Sequence, residues 1–264
     1  MNIATSKYSW LTGPVLFFVF LGVLLAVWAA VDPTALIRNF DADGRSPFEL
    51  ATLPFFAAIV PLVWWKCPFE GSRRRRTVLC LAVSVVAVMA IVKELDLHNY
   101  ALSALFPDFV QADGKLVPGR LFKPNGDELH GTPFKMRVLT NGEVPLAMKA
   151  LIVGYFALFF GVFAAAFAYL FPGWVKGVFR LEPPAWSFGC FGASGVMVQI
   201  SDRLPSWLDN VGGLGRTSAD GTETAASALC TVIEEGGELM IALFALLTIY
   251  QSYLILKKKE SCHE

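Results

Sequence analysis

Long runs of apolar residues, separated by short polar segments, dominate the pattern along this chain. An apolar run of about 17–25 residues is long enough to cross the hydrocarbon core of a bilayer as a helix. The chain contains six such windows, which are residues 11–31, 48–65, 77–97, 146–171, 184–202 and 226–256. The pattern therefore predicts an all-α, polytopic membrane protein with six transmembrane helices, organised as a single domain over residues 1–264.

The first and the fifth window need a closer look. The first, "LTGPVLFFVFLGVLLAVWAAV", follows Lys7 and could be a secretory signal peptide. Its apolar run is longer than the roughly 7–15 residues of a signal-peptide core and no small-residue cleavage motif follows, so we interpret it as a spanning helix. The fifth window is the weakest of the six, because it is short and contains Ser187, Ser194, Gln199, Ser201 and Asp202.

The composition supports the membrane interpretation. Hydrophobic residues make up 55% of the chain and charged residues only 17%, whereas soluble domains carry about 25% charged residues. The 22 basic and 22 acidic residues cancel, and this balance does not favour nucleic acid as a partner. Membrane lipid is the expected partner, and a homo-oligomer or a membrane-protein partner is left open.

Basic residues are concentrated in segments that alternate along the chain. Lys66 and Arg73 to Arg76 lie between the second and third windows, Lys176 and Arg180 lie between the fourth and fifth, and Lys257 to Lys259 follow the sixth. Lys and Arg accumulate in cytoplasmic loops near helix ends. The pattern predicts that both termini are cytoplasmic and that the protein lies in a cell membrane, with the bacterial inner membrane as the expected location.

Residues 98–145 form the longest polar segment and are expected on the extracytoplasmic side. Loops longer than about 12–15 residues are usually functional or disordered, and this one carries apolar and aromatic residues that could pack on the membrane surface. The Asn-Gly pair in "KPNGDE" favours a turn between two short strands, "GRLFK" at 119–123 and "FKMRVLT" at 134–140. We therefore expect a small extracytoplasmic cap.

Acidic residues and a histidine are predicted at the outer ends of two spans. Glu94 and His98 are four residues apart in "IVKELDLHNY", a spacing that places them on one face of a continuous helix. Glu234, Glu235 and Glu238 in "IEEGGEL" also share one helical face, about three turns after a helix start expected near Thr224. Further residues expected at this level are Lys93, Asp202, Arg203 and, from the long loop, His130.

This cluster suggests acid–base chemistry or a divalent metal site. Glu94, His98, Glu234 and Glu238 are the candidate catalytic residues, and the same four could bind a metal ion because carboxylates and imidazole suit hard or borderline cations. The Glu-x-x-His repeat of di-iron bundles and the His-Glu-x-x-His motif of zinc proteases are both absent. Ion pairing of the acids with Lys93 or Arg203 is the alternative interpretation.

Three short motifs, "DGRSPFELAT", "KELDLH" and "IEEGGEL", carry a resemblance to a known group. The chain resembles small bacterial inner-membrane proteins of unknown function that have a basic-Glu-Leu-Asp-x-His stretch and a late Glu-Glu pair. The resemblance implies no particular activity. Membrane hydrolases of the alkaline-ceramidase type are not similar in the residues that matter, because the chain lacks their His-x-x-x-His pair on a late helix.

Three hypotheses for function follow from the sequence. The first is a membrane-embedded enzyme, either metal-dependent or acid–base, that acts on a lipid or a lipid-linked substrate at the acidic cluster. The second is cation or proton transport through the same residues. The third is a non-catalytic assembly or accessory subunit in which the acids form ion pairs.

Overall fold

The computed structural model describes residues 6–40, 47–95, 97–112, 115–116, 121–122, 128–129, 136–208 and 224–261. These residues form a predominantly helical protein. The helices are α1 (Thr12–Ala30), α2 (Pro33–Phe40), α3 (Pro47–Lys66), α4 (Arg73–Glu94), α5 (Leu97–Leu105), α6 (Pro107–Val110), α7 (Met136–Thr140), α8 (Leu146–Phe179), α9 (Pro183–Leu208) and α10 (Ala225–Ser261). Two hairpins of two-residue strands, β1 (Gln111–Ala112) with β2 (Lys115–Leu116) and β3 (Leu121–Phe122) with β4 (Glu128–Leu129), lie between α6 and α7.

Within the described residues, four helices are long and apolar enough to cross a membrane. They are α1 together with the turn before it (Ser9–Ala30), α4, α8 and α10. Helices α3 and α9 are not among these four. The apolar segment Leu50–Lys66 of α3 is shorter than the four spans, and α9 carries polar residues along its length. The predicted helical membrane class is supported, whereas the six-span count goes beyond these four helices.

The exterior of the bundle is apolar, as expected for a surface that faces lipid. Phe18 of α1 and Phe160 of α8 are 69% and 57% exposed, and Leu146 at the start of α8 is 82% exposed. Contiguous exposed apolar surface of this kind is rare on soluble monomers and indicates a membrane or protein interface. Because α8 is apolar on every side yet mostly exposed, a lipid environment explains its composition.

Helix α10 is the central element of the bundle. It packs against α9 over most of its length and also contacts α1, α2 and α3. Two adjacent glycines allow this close approach: a Cβ at Gly236 would collide with the side chain of Leu24 in α1, and one at Gly237 would lie 2.5 Å from Val198 Cγ2 in α9. The indole of Trp28 donates a hydrogen bond of 2.9 Å to the carbonyl of Ala225 and joins the end of α1 to the start of α10.

The structure confirms one predicted helix boundary and corrects two other predictions. Helix α10 starts at Ala225, and the Thr224 hydroxyl accepts a hydrogen bond of 3.0 Å from the amide of Ser227, as an N-cap does. The predicted strand at 134–140 is wrong, since Met136–Thr140 is helical and β3 pairs instead with β4. The predicted third span, 77–97, also ends three residues too late, because α4 ends at Glu94.

The two ends of the bundle differ in charge. We call the end that holds Lys66, Arg76 and Lys257 the basic end, and the end that holds Lys93 and its carboxylate partners the acidic end. At the basic end, Lys66, Arg76 and Lys257 surround one pocket, so α3, α4 and α10 bring their basic residues together. Two of the three basic segments, residues 66–76 and 257–259, therefore lie at the same end of the bundle.

Candidate functional site

Lys93 joins two carboxylates at the acidic end of the bundle. Its Nζ lies 2.5 Å from Glu238 Oε1 of α10 and 3.1 Å from Glu94 Oε1, next to it in α4. The Glu94 side chain is 4% exposed, that of Glu238 is 18% exposed, and that of Lys93 is half exposed. Charge-assisted hydrogen bonds of this kind are about twice as strong as neutral ones. The ammonium therefore neutralises a carboxylate that would be costly to bury alone.

The ends and contacts of two helices place these three side chains. Helix α4 stops at Glu94 because Leu95 leaves the helical conformation (φ −88°, ψ 6°), so Lys93 and Glu94 lie in its last turn. Glu238 lies about 20 Å along the axis of α10 from Ala225, at about 1.5 Å per residue. Gly236 and Gly237 turn towards α1 and α9, which leaves Glu238 free to face α4.

His98 is half-buried in α5, beside the end of α4. Burial lowers the pKa of His98 to about 4, an effect that a hydrogen bond to the backbone of Val92 opposes and the positive charge of Lys93 increases. The imidazole is therefore neutral near pH 7. The prediction that Glu94 and His98 share a face of one helix is wrong, because the chain leaves α4 after Glu94 and starts α5 at Leu97.

Tyr155 of α8 belongs to the same region and was missed by the sequence patterns. Its hydroxyl donates a hydrogen bond of 3.0 Å to the carbonyl of Met89 in α4, and it lies within electrostatic range of Lys93 and Glu94. A tyrosine hydroxyl inside an otherwise apolar window usually needs a polar partner. That signal points to Tyr155, although it does not identify the partner helix.

The remaining predicted site residues separate into two groups. Glu234 and Glu235 are half-buried on α10, and Glu234 lies one turn after the buried Cys230. Asp202 and Arg203 are exposed on α9, and Arg203 Nε lies 3.5 Å from Asp202 Oδ2. His130 lies outside the described residues.

The geometry does not support the predicted divalent metal site. Among the residues that the structure describes, no group of three or more His, Cys, Asp and Glu side chains is close enough to hold a metal ion. The ammonium of Lys93 lies between Glu94 and Glu238, where it would repel a cation. His98 also belongs to a different helix from Glu94, so the two residues do not form the single-helix pair that the prediction assumed.

Comparison with family models, with curated proteins and with solved structures finds no match for this chain. The arrangement around Lys93 must therefore be interpreted from its own chemistry.

Proposed function

We propose that the chain is a six-span protein of a cell membrane, with both termini and the basic end in the cytoplasm. Helix α3 has 20 residues and α9 has 26, and about 20 residues suffice to cross the hydrocarbon core. Both pack within the bundle, and Ser187, Ser194 and Ser201 of α9 are buried there. Residues 98–145 then form the extracytoplasmic cap, and the resemblance in the three motifs favours the bacterial inner membrane.

We infer that this protein is an acid–base enzyme that acts on a lipid or a lipid-linked substrate at the acidic end. One observation carries this proposal, namely a neutral imidazole, His98, beside an ammonium group, Lys93, that two carboxylates hold in place. Ionisable residues within membrane-embedded helices are rare and are usually functional. The site lies where a lipid head group meets the outer ends of the helices.

The groups at this site have complementary chemical properties. Lys93, whose charge Glu94 and Glu238 more than balance, can donate a hydrogen bond to a carbonyl oxygen of the substrate on which negative charge develops during the reaction. His98 in its neutral form can accept a proton from a hydroxyl group or from water. A substrate oxygen that accepts a hydrogen bond from the protonated imidazole would raise the pKa of His98 towards neutrality, so substrate binding would strengthen the base. Glu94 and Glu238 act as positioning residues for Lys93.

The test is to measure membrane lipids by mass spectrometry in cells that produce equal amounts of wild-type, His98→Gln or Lys93→Gln protein. Lys259→Gln is the matched control, because Lys259 forms an ion pair with Glu70 at the basic end. We expect wild type and control to change the abundance of the same lipid species, and His98→Gln to leave it unchanged while remaining folded. The proposal is refuted if His98→Gln and wild type give the same lipid profile.

The Lys93–Glu238 bridge favours a second candidate function, a non-catalytic assembly or accessory subunit. The bridge connects residues 145 positions apart in the sequence, and such ion pairs can hold helices together without taking part in chemistry. In that case Lys93→Gln would lower thermal stability or release a membrane-protein partner. The lipid profile would then be identical for the wild type, the His98 variant and an empty vector.

A further inference from the structure

The basic end of the bundle contains an apolar cavity of about 320 Å³. Helices α3, α4, α8, α9 and α10 all contribute to its walls, which include the aromatic residues Phe69, Phe167, Trp174 and Phe188. An apolar protein cavity of about 150 Å³ is large enough to bind benzene. This cavity has about twice that volume, so it can hold a flexible hydrocarbon chain.

A second pocket, of about 230 Å³, lies at the same end and is polar. Three basic side chains line it, Lys66, Arg76 and Lys257, together with the carboxylates of Glu70 and Glu260. Lys259 lies 2.7 Å from Glu70 and neutralises it. The basic side chains therefore outnumber the remaining carboxylate, and the pocket suits an anionic group.

The cavity and the basic pocket are adjacent. Phe69 lines both of them, and on α10 the cavity-lining Ser252 is followed directly by Tyr253, which lines the basic pocket. A molecule with an anionic head and a hydrocarbon tail could occupy both at once. The exposed carboxylate of Glu182 also lies on the cavity wall, and it would repel a phosphate, so the head belongs in the basic pocket.

We propose that the joined pockets bind an anionic glycerophospholipid of the membrane, with its phosphate in the basic pocket and one acyl chain in the apolar cavity. Clusters of Lys and Arg at the cytoplasmic ends of spans are typical sites for anionic lipid head groups. Lys66 also lies 4.0 Å from the ring centre of Trp65, and this tryptophan is 79% exposed. Exposed tryptophans are enriched at the level of the head groups.

Native mass spectrometry of the detergent-purified full chain tests this proposal. Phosphatidylglycerol and phosphatidylcholine with identical acyl chains are titrated separately, so that only the head-group charge differs. We expect the wild type to bind phosphatidylglycerol at least about tenfold more tightly, equivalent to about 1.4 kcal/mol. Replacing both Lys66 and Lys257 with Gln should remove this preference, because both lysines line the pocket assigned to the phosphate.

A second variant tests the apolar cavity independently of charge. Gly173 of α8 lines the cavity, and a Cβ there would meet nothing within 4 Å, so Gly173→Leu fills space without a backbone clash. Gly161→Leu is the matched control, because a Cβ at Gly161 also meets nothing within 4 Å and this residue does not line the cavity. We expect Gly173→Leu to weaken binding of both lipids and Gly161→Leu to bind as the wild type does.

Three results would overturn the proposal. The first is equal binding of the two lipids by the wild type, and the second is equal behaviour of the Gly173 and Gly161 variants. The third is full displacement of the lipid by millimolar glycerol phosphate, which would indicate a site for a soluble anion rather than for a lipid. The acidic-end chemistry is tested separately, since none of these variants lies near Lys93.

Discussion

Replacing Lys93 with Met tests whether the ion bridge stabilises the bundle. The change keeps an unbranched side chain of similar length but removes the positive charge that lies 2.5 Å from Glu238 and 3.1 Å from Glu94. Glu94 is the more sensitive partner, because its side chain is only 4% exposed. Without Lys93 it must remain charged in a poorly solvated position or take up a proton.

The size of the effect follows from the exposure of the three side chains. Removing one partner of a fully buried ion pair costs about 3–5 kcal/mol, whereas exposed pairs contribute about 0–1 kcal/mol. Because the Lys93 side chain is 50% exposed, an intermediate cost of about 2–3 kcal/mol is expected. For a chain of this size, that loss lowers Tm by about 4–12 °C.

Thermal unfolding in detergent, followed by intrinsic fluorescence, measures this shift. Lys259→Met is the control, because its pair with Glu70 is 2.7 Å long but 60% and 63% exposed, and its Tm should change by less than about 4 °C. Glu238→Gln should give a smaller loss than Lys93→Met, since Lys93 still neutralises Glu94. Equal Tm values for Lys93→Met and Lys259→Met would refute the stabilising role of the bridge.

Two further predictions concern pH and helix packing. The folded pKa of His98 is about 4, below its unfolded value of about 6.5. The unfolded chain therefore binds more protons between these values, and stability should fall as pH falls from about 6.5 to about 4. The Tm of the wild type should fall over this range, and the Tm of His98→Gln should fall less, because the variant has no imidazole to protonate. Gly236→Ala should lower Tm through a clash with α1, at about 1–3 kcal/mol. Gly154→Ala, where a Cβ meets nothing within 4 Å, should leave Tm unchanged or slightly raised, and equal shifts in the two glycine variants would contradict this explanation.

The helical membrane class and several element boundaries could be predicted from the sequence, because the physical causes are local. The length of an apolar run decides whether a helix can cross a bilayer, and the windows at 11–31, 146–171 and 226–256 coincide with helices that can. A capping threonine followed by small residues likewise marks the start of α10 at Ala225.

The cluster at the acidic end could be predicted only in part. The spacing of Glu234, Glu235 and Glu238 on one helix follows from the helical repeat, and Lys93 was a predicted counter-ion for the acids. The break between Glu94 and His98 was not predicted, because "KELDLH" contains no glycine or proline to mark a helix end. The predicted metal site depended on a continuous helix there.

The composition and spacing of the chain determine that it forms apolar helices with an acidic group near one end and basic groups near the other. Only the tertiary structure decides that Lys93 binds Glu238, that Tyr155 of α8 reaches α4, and that an apolar cavity opens beside a basic pocket. Each of these features depends on how one helix is rotated and placed against another. Periodicity within a segment shows which residues share a face, but the partner of that face is set by packing between segments distant in the chain.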